Sequence, residues 1–477
     1  MLNKMFARKT ITPYGEVAPE GELKRALGAF DLTALGIGAI IGTGIFVLAG
    51  IGAQKAGPGI MLSFIVAGIA CLCAALCYAE LAAMIPAAGS AYTYVYATMG
   101  EFIAWMIGWN LILEYLVASS AVASGWSGYF NNLIELSHIA IPHALLSNPF
   151  SGGIMNLPAF VIALLITLLL TVGVQESARV TSAIVILKII VLLIFIVVAA
   201  PAVVPANWHP FLPFGFQGVM SGAAIIFFAY IGFDAVATTA EEAKNPQRDL
   251  PIGILASLAI CTVFYIIVAA ILTGMVPFAQ LNVPDPLAHA LVLVNKAAWA
   301  KLVSFGAVFG LTSVLVVMMM GMPRIWFAMS RDGLMPAVFS KVHPRFRTPA
   351  VSTIVSGVIV AFLAGLLPID VIAEMTNIGT LSAFIAVSIG VWMLRRRSPD
   401  LPRVFKAPAL PLVATVAVLV CGYMALSLAN MTKILFVVWV AIGAVIYFTY
   451  SVRHSKLHDG DGTAEGMPSS ALPPTGG

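Results

Sequence analysis

The sequence predicts an all-α integral membrane protein of twelve transmembrane helices, with helices 1 and 6 discontinuous. Three observations carry this reading. Hydrophobic residues make up 60% of the 477-residue chain and charged residues 10%, with a mean hydropathy of +1.00, a composition suited to lipid. Apolar runs of about 20 residues, the helix length that crosses about 30 Å of hydrocarbon, recur from end to end. Two of these runs are interrupted, the first by glycines and the sixth by a glycine and an aspartate. A transmembrane β-barrel is excluded, because the runs are continuous and not segments of alternating polarity.

Residues 1–29 are polar, with Lys4, Arg8, Lys9, Lys24 and Arg25 and no apolar core or small-residue cleavage site, and read as a cytoplasmic tail. The spans follow at 30–53, 58–84, 101–130, 157–174, 180–200, 217–243, 251–275, 300–323, 351–367, 374–394, 408–428 and 433–452. Residues 453–477 have the Gly/Ser/Pro composition of a disordered cytoplasmic tail. With the N-terminus inside, 20 of the 25 Lys and Arg residues fall in inner connections and four (Lys55, Lys296, Lys301 and Lys433) in outer ones. This asymmetry places both termini in the cytoplasm of a multi-pass protein of the cell membrane.

The net charge of +4 reflects that topology and implies no nucleic-acid partner. Cys71, Cys73, Cys77, Cys261 and Cys421 all lie in spans as small hydrophobes, and no span holds a histidine to join them. No disulfide, metal site or cofactor is expected, and no His cluster, nucleophile–base pair or cofactor motif marks an enzyme.

The first span contains LGIGAIIGTGIF, in which Gly36, Gly38, Gly42 and Gly44 fall within twelve residues. Gly38 and Gly42 form a G-xxx-G pair that lets another helix approach. The sixth span, FFAYIGFDAVATTAEEAKNP, carries Gly232 and Asp234 in an apolar segment, and reads as one short helix ending near Tyr230 and another starting near Asp234. Interrupted first and sixth spans are the signature of two five-helix repeats of inverted topology, here 30–200 and 217–395, with 408–452 added after them. An unwound turn at Ile41–Gly44 frees backbone N–H groups for a carboxylate. One at Phe228–Ile231, through Ala229, frees carbonyls for an ammonium. Together they recognise a zwitterion, and irregular backbone at this depth is tolerated only where it lines a cavity.

GIGAIIGTGIFVLAG after DLTALG, GWNLILEY in the third span, FFAYIGFDAVATTAEEAKNPQRDLP in the sixth and the loop RIWFAMSRDGLMP resemble the amino acid–polyamine–organocation transporters, most closely the cationic amino acid transporter branch. The resemblance covers roughly residues 25 to 450. It implies the leucine-transporter-type five-plus-five fold, with two helices after the tenth span. It further implies that amides around Gly42, Thr43 and Gly44 hold the substrate carboxylate. Carbonyls of Ile40, Phe228 and Ile231 would hold the amine, with the Phe228 ring closing over the substrate.

Ionisable groups inside spans are functional candidates, because each costs about 2.5–3.5 kcal/mol at the bilayer centre. Lys188 is the only charge in the fifth span. Either its long stem snorkels to the inner edge, or, as in proton-coupled relatives, it stands where sodium-coupled ones bind an ion and carries the coupling proton. Glu114, in the third span, either makes a structural hydrogen bond, contacts the substrate side chain or relays protons. Glu80, Glu241 and Glu242 read as gate or loop contacts. Met318, Met319 and Met320 read mostly as packing, but the resemblance implies that the eighth span lines the pocket and that one of them faces it. Met318 is favoured, and its bulk argues against long cationic substrates.

The expected activity is import of an L-amino acid, neutral or small rather than cationic, by proton symport with no sodium site. The alternatives are an amino acid exchanger, cationic amino acid uptake, or a transport-inactive sensor. The sequence leaves a small membrane subunit open.

Overall fold

The computed structural model describes residues 5–8, 27–85, 90–137, 141–173, 178–238, 243–346 and 348–458. The stretches read as spans are mainly helical where they are described, with breaks at 41–42 in the first and 231–232 in the sixth, and no strand occurs among the described residues. The first span divides into α1 (Ala29–Ile40) and, past a break, a π-helical turn (Gly44–Leu48) that runs into α2 (Ala49–Ala56). Then follow α3 (Ile60–Met84), α4 (Ser90–Thr98), α5 (Glu101–Glu135), α6 (Leu157–Val172) and α7 (Ala178–Ala199). The sixth span divides into α8 (Gly215–Ile226), a 3-10 turn (Phe227–Tyr230) and α9 (Phe233–Thr238). The remainder comprises α10 (Pro246–Met275), α11 (Pro286–Leu293), α12 (Ala297–Arg331), α13 (Ala350–Leu366), α14 (Ile369–Arg397), α15 (Leu410–Ser427) and α16 (Asn430–Ile446).

Eight helical stretches among the described residues are long and apolar enough to cross a membrane, the first being Ala29–Met84 as a whole, and three more are apolar but shorter. Local chemistry sets their limits. For α6, the Asn156 side chain caps the Ala159 N–H at 3.3 Å, Pro158 occupies the first turn, and Gly173 ends the helix at φ +82°. Helices α4 and α11 fall outside the predicted spans, being too short to cross.

The long helix α5 lies at the centre, packed against α12, α14 and α13, while α10 packs on α3 and α1. α15 and α16 sit at the edge and expose Leu419, Leu426, Val437 and Val445, an apolar surface suited to lipid. One face carries both described ends. The Glu101 carboxylate accepts from Tyr96 at 2.8 Å, from Tyr447 at 3.0 Å and from Ser455, while the Glu101 N–H donates to the Ala7 carbonyl at 3.0 Å. On the same face Glu80, fully buried at the end of α3, accepts from Arg395 Nε at 2.8 Å and from the Ala407 N–H at 2.8 Å. Glu80 is thus a loop contact that pins the α14–α15 connection. Glu241 and Glu242 lie outside the described residues, as does the chain beyond residue 458.

The opposite face holds a cavity of about 430 Å³, walled by Lys55, Ser124, Asn131, Ile225, Asp370 and Glu374 among others. Beside it, Asp285 precedes α11. Burial pushes its carboxyl up to about 7 from an ordinary 3.8, and the neighbouring Glu135 adds to the shift. Between about pH 4 and 7 the folded chain therefore keeps a proton that the unfolded chain has lost, so stability falls as pH rises through that window and levels off above it. Asp285→Asn is expected to flatten this dependence and to raise the melting temperature most above pH 7. Thermal unfolding in detergent from pH 5 to 8 reads it out, and parallel curves for the two proteins would refute the assignment.

Candidate functional site

α1 stops at Ile40 because Ile41 is extended (φ −72°, ψ 102°), and helical geometry resumes at Thr43 (φ −54°, ψ −32°). The Gly42 carbonyl is taken by the N–H groups of Ile45 at 3.2 Å and Phe46 at 3.1 Å. The N–H groups of Gly42, Thr43 and Gly44 open the second half and have no acceptor within it. In the sixth span the helix tightens at Phe227–Tyr230, Ile231 is extended (ψ 136°), and Gly232 takes φ +120°. A residue with a Cβ rarely adopts that φ, so glycine is required here. The Gly232 N–H then donates to Asp234 Oδ1 at 3.2 Å, which turns the chain into α9.

The two breaks lock into each other. A Cβ placed on Gly44 would fall 2.1 Å from Ala229 Cα, and one on Gly232 would fall 2.9 Å from the carbonyl of Ala39. The other glycines of the first span admit other helices: Gly36 meets Ser257 of α10, Gly38 meets Val185 of α7, and Gly42 meets Val314 of α12. The glycine-rich stretch therefore serves both for a break and for close approach.

Ile40, Gly42, Thr43, Gly44, Phe228, Ala229 and Ile231 are thereby gathered at one crossing, all of them buried. The Ile40 carbonyl already accepts from Tyr265 OH at 2.8 Å and keeps one lone pair. The Phe228 carbonyl accepts from the Ile231 N–H at 3.1 Å. Thr43 packs against Gly125 of α5, and its Oγ1 is buried with no hydrogen-bond partner among the described residues. A buried unpaired hydroxyl is costly, so an unpaired one beside free backbone N–H groups marks where an acceptor belongs.

Lys188 does not snorkel. Its side chain is fully buried, its Nζ donates to the Gly38 carbonyl at 2.6 Å, and its stem lies 3.0 Å from where a Cβ on Gly310 would be. The ammonium is thus bonded to the last turns of α1, just before the break. The methionines separate by face. Met318 is buried one turn beyond Val314 on the stripe that meets Gly42, whereas Met320 is 40% exposed on the lipid side. Glu114 stands apart: eleven residues before Gly125 on α5, it lies about 16 Å along the helix from the level of Thr43. It is buried against Gly379, with Oε2 unpaired among the described residues.

Three supporting residues escaped the sequence reading. Tyr265 holds the Ile40 carbonyl, Tyr129 OH donates to the Phe46 carbonyl at 2.5 Å, and Asn377 Nδ2 donates to the carbonyls of Ala224 at 2.7 Å and Ile225 at 2.9 Å, at the end of α8. The only signal for Asn377 was an amide within the apolar run of the tenth span. Among the described residues no group of three or more His, Cys, Asp or Glu is placed to hold a metal, and none of the cysteines is in a disulfide.

A helical, multi-pass membrane protein whose first and sixth spans break and cross inside the bundle has the architecture of a solute carrier. Residues 27–455 match the amino acid permease family, and the chain belongs to it, within the amino acid–polyamine–organocation superfamily of transporters. It is 52% identical over 467 residues to the branched-chain amino acid permease BcaP of Bacillus subtilis (strain 168), covering 96% of this chain and all of that protein. It is 47% identical over 460 residues, with the same coverages, to the methylthioribose transporter of that organism. Human cationic amino acid transporter 4 is 39% identical over 402 residues, 82% of this chain and 63% of that one.

Proposed function

We propose that the protein imports a neutral L-amino acid together with a proton across the cell membrane, by alternating access around the crossing of the two breaks. The observation that carries this reading is the interlock of Gly44 on Ala229 and Gly232 on Ala39, with the unpaired Thr43 hydroxyl beside it. It sets N–H donors for a carboxylate against carbonyl acceptors for an ammonium. The fold is read as twelve spans in two inverted repeats, 30–200 and 217–395, followed by 408–452, with both termini cytoplasmic. Both described ends meeting on Glu101 supports an even number of crossings.

Branched aliphatic amino acids are the first candidates, since the relative of 52% identity is named for them. The methylthioribose relative, at 47%, warns that this framework accepts other solutes. Met318, one turn from the wall that meets Gly42, limits the length of the substrate side chain, and Glu114 lies farther along as a proton relay or a contact for long side chains. No cofactor or sodium ion enters this mechanism, and an accessory subunit is left open. Uptake by proteoliposomes of a panel of amino acids and methylthioribose tests it: counterflow only from liposomes loaded with amino acid would make it an exchanger, and binding without uptake a sensor.

Met318→Ser is expected to admit longer substrates, arginine among them, with uptake of valine and leucine retained. An unchanged profile, with Met319→Ser and Met320→Ser measured beside it, would remove α12 as the limit on pocket length.

A further inference from the structure

Asn377 is fully buried in α14, and both of its hydrogen bonds are made by one end of the amide. Because Ala224 and Ile225 present carbonyls, that end must be the NH2 group, which fixes the side-chain oxygen on the other side. Those carbonyls are available because the helix tightens after Ile226, and the residues that would have bonded to them belong to the 3-10 turn. The Asn377 oxygen is left buried and without a partner among the described residues.

Asn377 lies one turn beyond Glu374 on α14, and Glu374 and Ile225 both wall the cavity of about 430 Å³. Ser124, on the facing side of that cavity, adjoins Gly125, against which Thr43 packs. Thr43 and Asn377 are thus each buried and unpaired, one beside each helix break, and each adjoins residues that wall the cavity: Thr43 through Gly125 and its neighbour Ser124, Asn377 through Ile225 and Glu374. Thr43 stands at the N–H end, and Asn377 at the carbonyl end, where its NH2 occupies the α8 carbonyls and leaves those of the turn beyond for another donor.

We propose that Asn377 is a substrate-binding residue, its side-chain oxygen accepting a hydrogen bond from the substrate's ammonium group. The inference rests on the amino acid reading above. Bonds to a charged donor are stronger than those to a neutral one, so this oxygen contributes to preference for an amino acid over its hydroxy analogue.

The test is competition binding to the purified full chain in detergent, with L-leucine and 2-hydroxy-4-methylpentanoate, which carries a hydroxyl in place of the ammonium. The wild type is expected to prefer leucine. Asn377→Ala should lower that preference about tenfold, mainly by weakening leucine, whereas Thr43→Val, at the carboxylate end, should weaken both ligands alike. A preference within twofold of wild type in Asn377→Ala would overturn the assignment. Asn377→Ser, whose hydroxyl can still donate to one α8 carbonyl, guards against simple misfolding and should show the same lowered preference. Loss of folded protein in both variants would mean that the two bonds to α8 are the whole role of the amide, and would equally overturn it. A wild type that binds no amino acid but does bind methylthioribose would instead defeat the underlying substrate reading.

Discussion

Gly44→Val is expected to abolish substrate binding while the protein still inserts in the membrane and elutes as a single species. A Cβ at Gly44 would sit 2.1 Å from Ala229 Cα, and the obstacle is backbone, which cannot rotate aside. Overpacking that side chains can absorb costs about 1–3 kcal/mol. Here the breaks themselves must separate, and they carry both the N–H donors and the carbonyl acceptors. A loss of about 100-fold in affinity, about 2.8 kcal/mol, is therefore a lower expectation. The apolar lipid-facing surfaces are untouched, so expression and thermal unfolding should change far less than binding. Wild-type affinity in this variant would remove the crossing as the binding site.

Lys188→Ala is expected to uncouple uptake from pH. A neutral amino acid carried with one proton moves one net charge, so 100 mV, negative inside, contributes about 2.3 kcal/mol to accumulation. Each pH unit of inward gradient adds about 1.4 kcal/mol. The Lys188 ammonium donates to the Gly38 carbonyl, so in this reading release of its proton would weaken that bond and would free the first half of the broken helix to move. Outside acidification should then speed wild-type uptake with sodium absent, and the alanine variant should lose this response. Proteoliposomes under an imposed pH step provide the measurement. Strong sodium dependence, or concentrative uptake by Lys188→Ala equal to wild type, would sink the assignment and leave Glu114 as the next carrier to examine.

The helices and both breaks were legible in the sequence because their causes are local. Twenty apolar residues demand a helix in lipid, and an aspartate or a cluster of glycines inside such a run marks a break or a close approach of helices. The unwound turn expected at Phe228–Ile231 overlaps the observed 3-10 turn at Phe227–Tyr230, but α8 itself ends at Ile226 and not near Tyr230 as Gly232 and Asp234 indicate, because a 3-10 turn needs no special residue and leaves no mark on composition. What each glycine touches was not legible, nor were the caps from Tyr265 and Asn377, 225 and about 150 residues away from the carbonyls they hold. Such partners are fixed by packing and not by pattern. The direction of Lys188 was likewise undecided, since a long stem at that depth can turn either way, and the Gly38 carbonyl decides it.

The four glycines between Gly36 and Gly44 differ in one respect that bears on how such a chain can change over generations. Gly36, Gly38 and Gly42 each face a side chain, of Ser257, Val185 and Val314. A larger residue at any of them can be matched by a smaller one opposite, so these junctions are free to drift as pairs and to retune how each helix sits. Gly44 faces the main chain of Ala229. No exchange elsewhere makes room for a side chain there, so among lineages descended from this architecture the junction that joins the two breaks has no compensating partner to drift with.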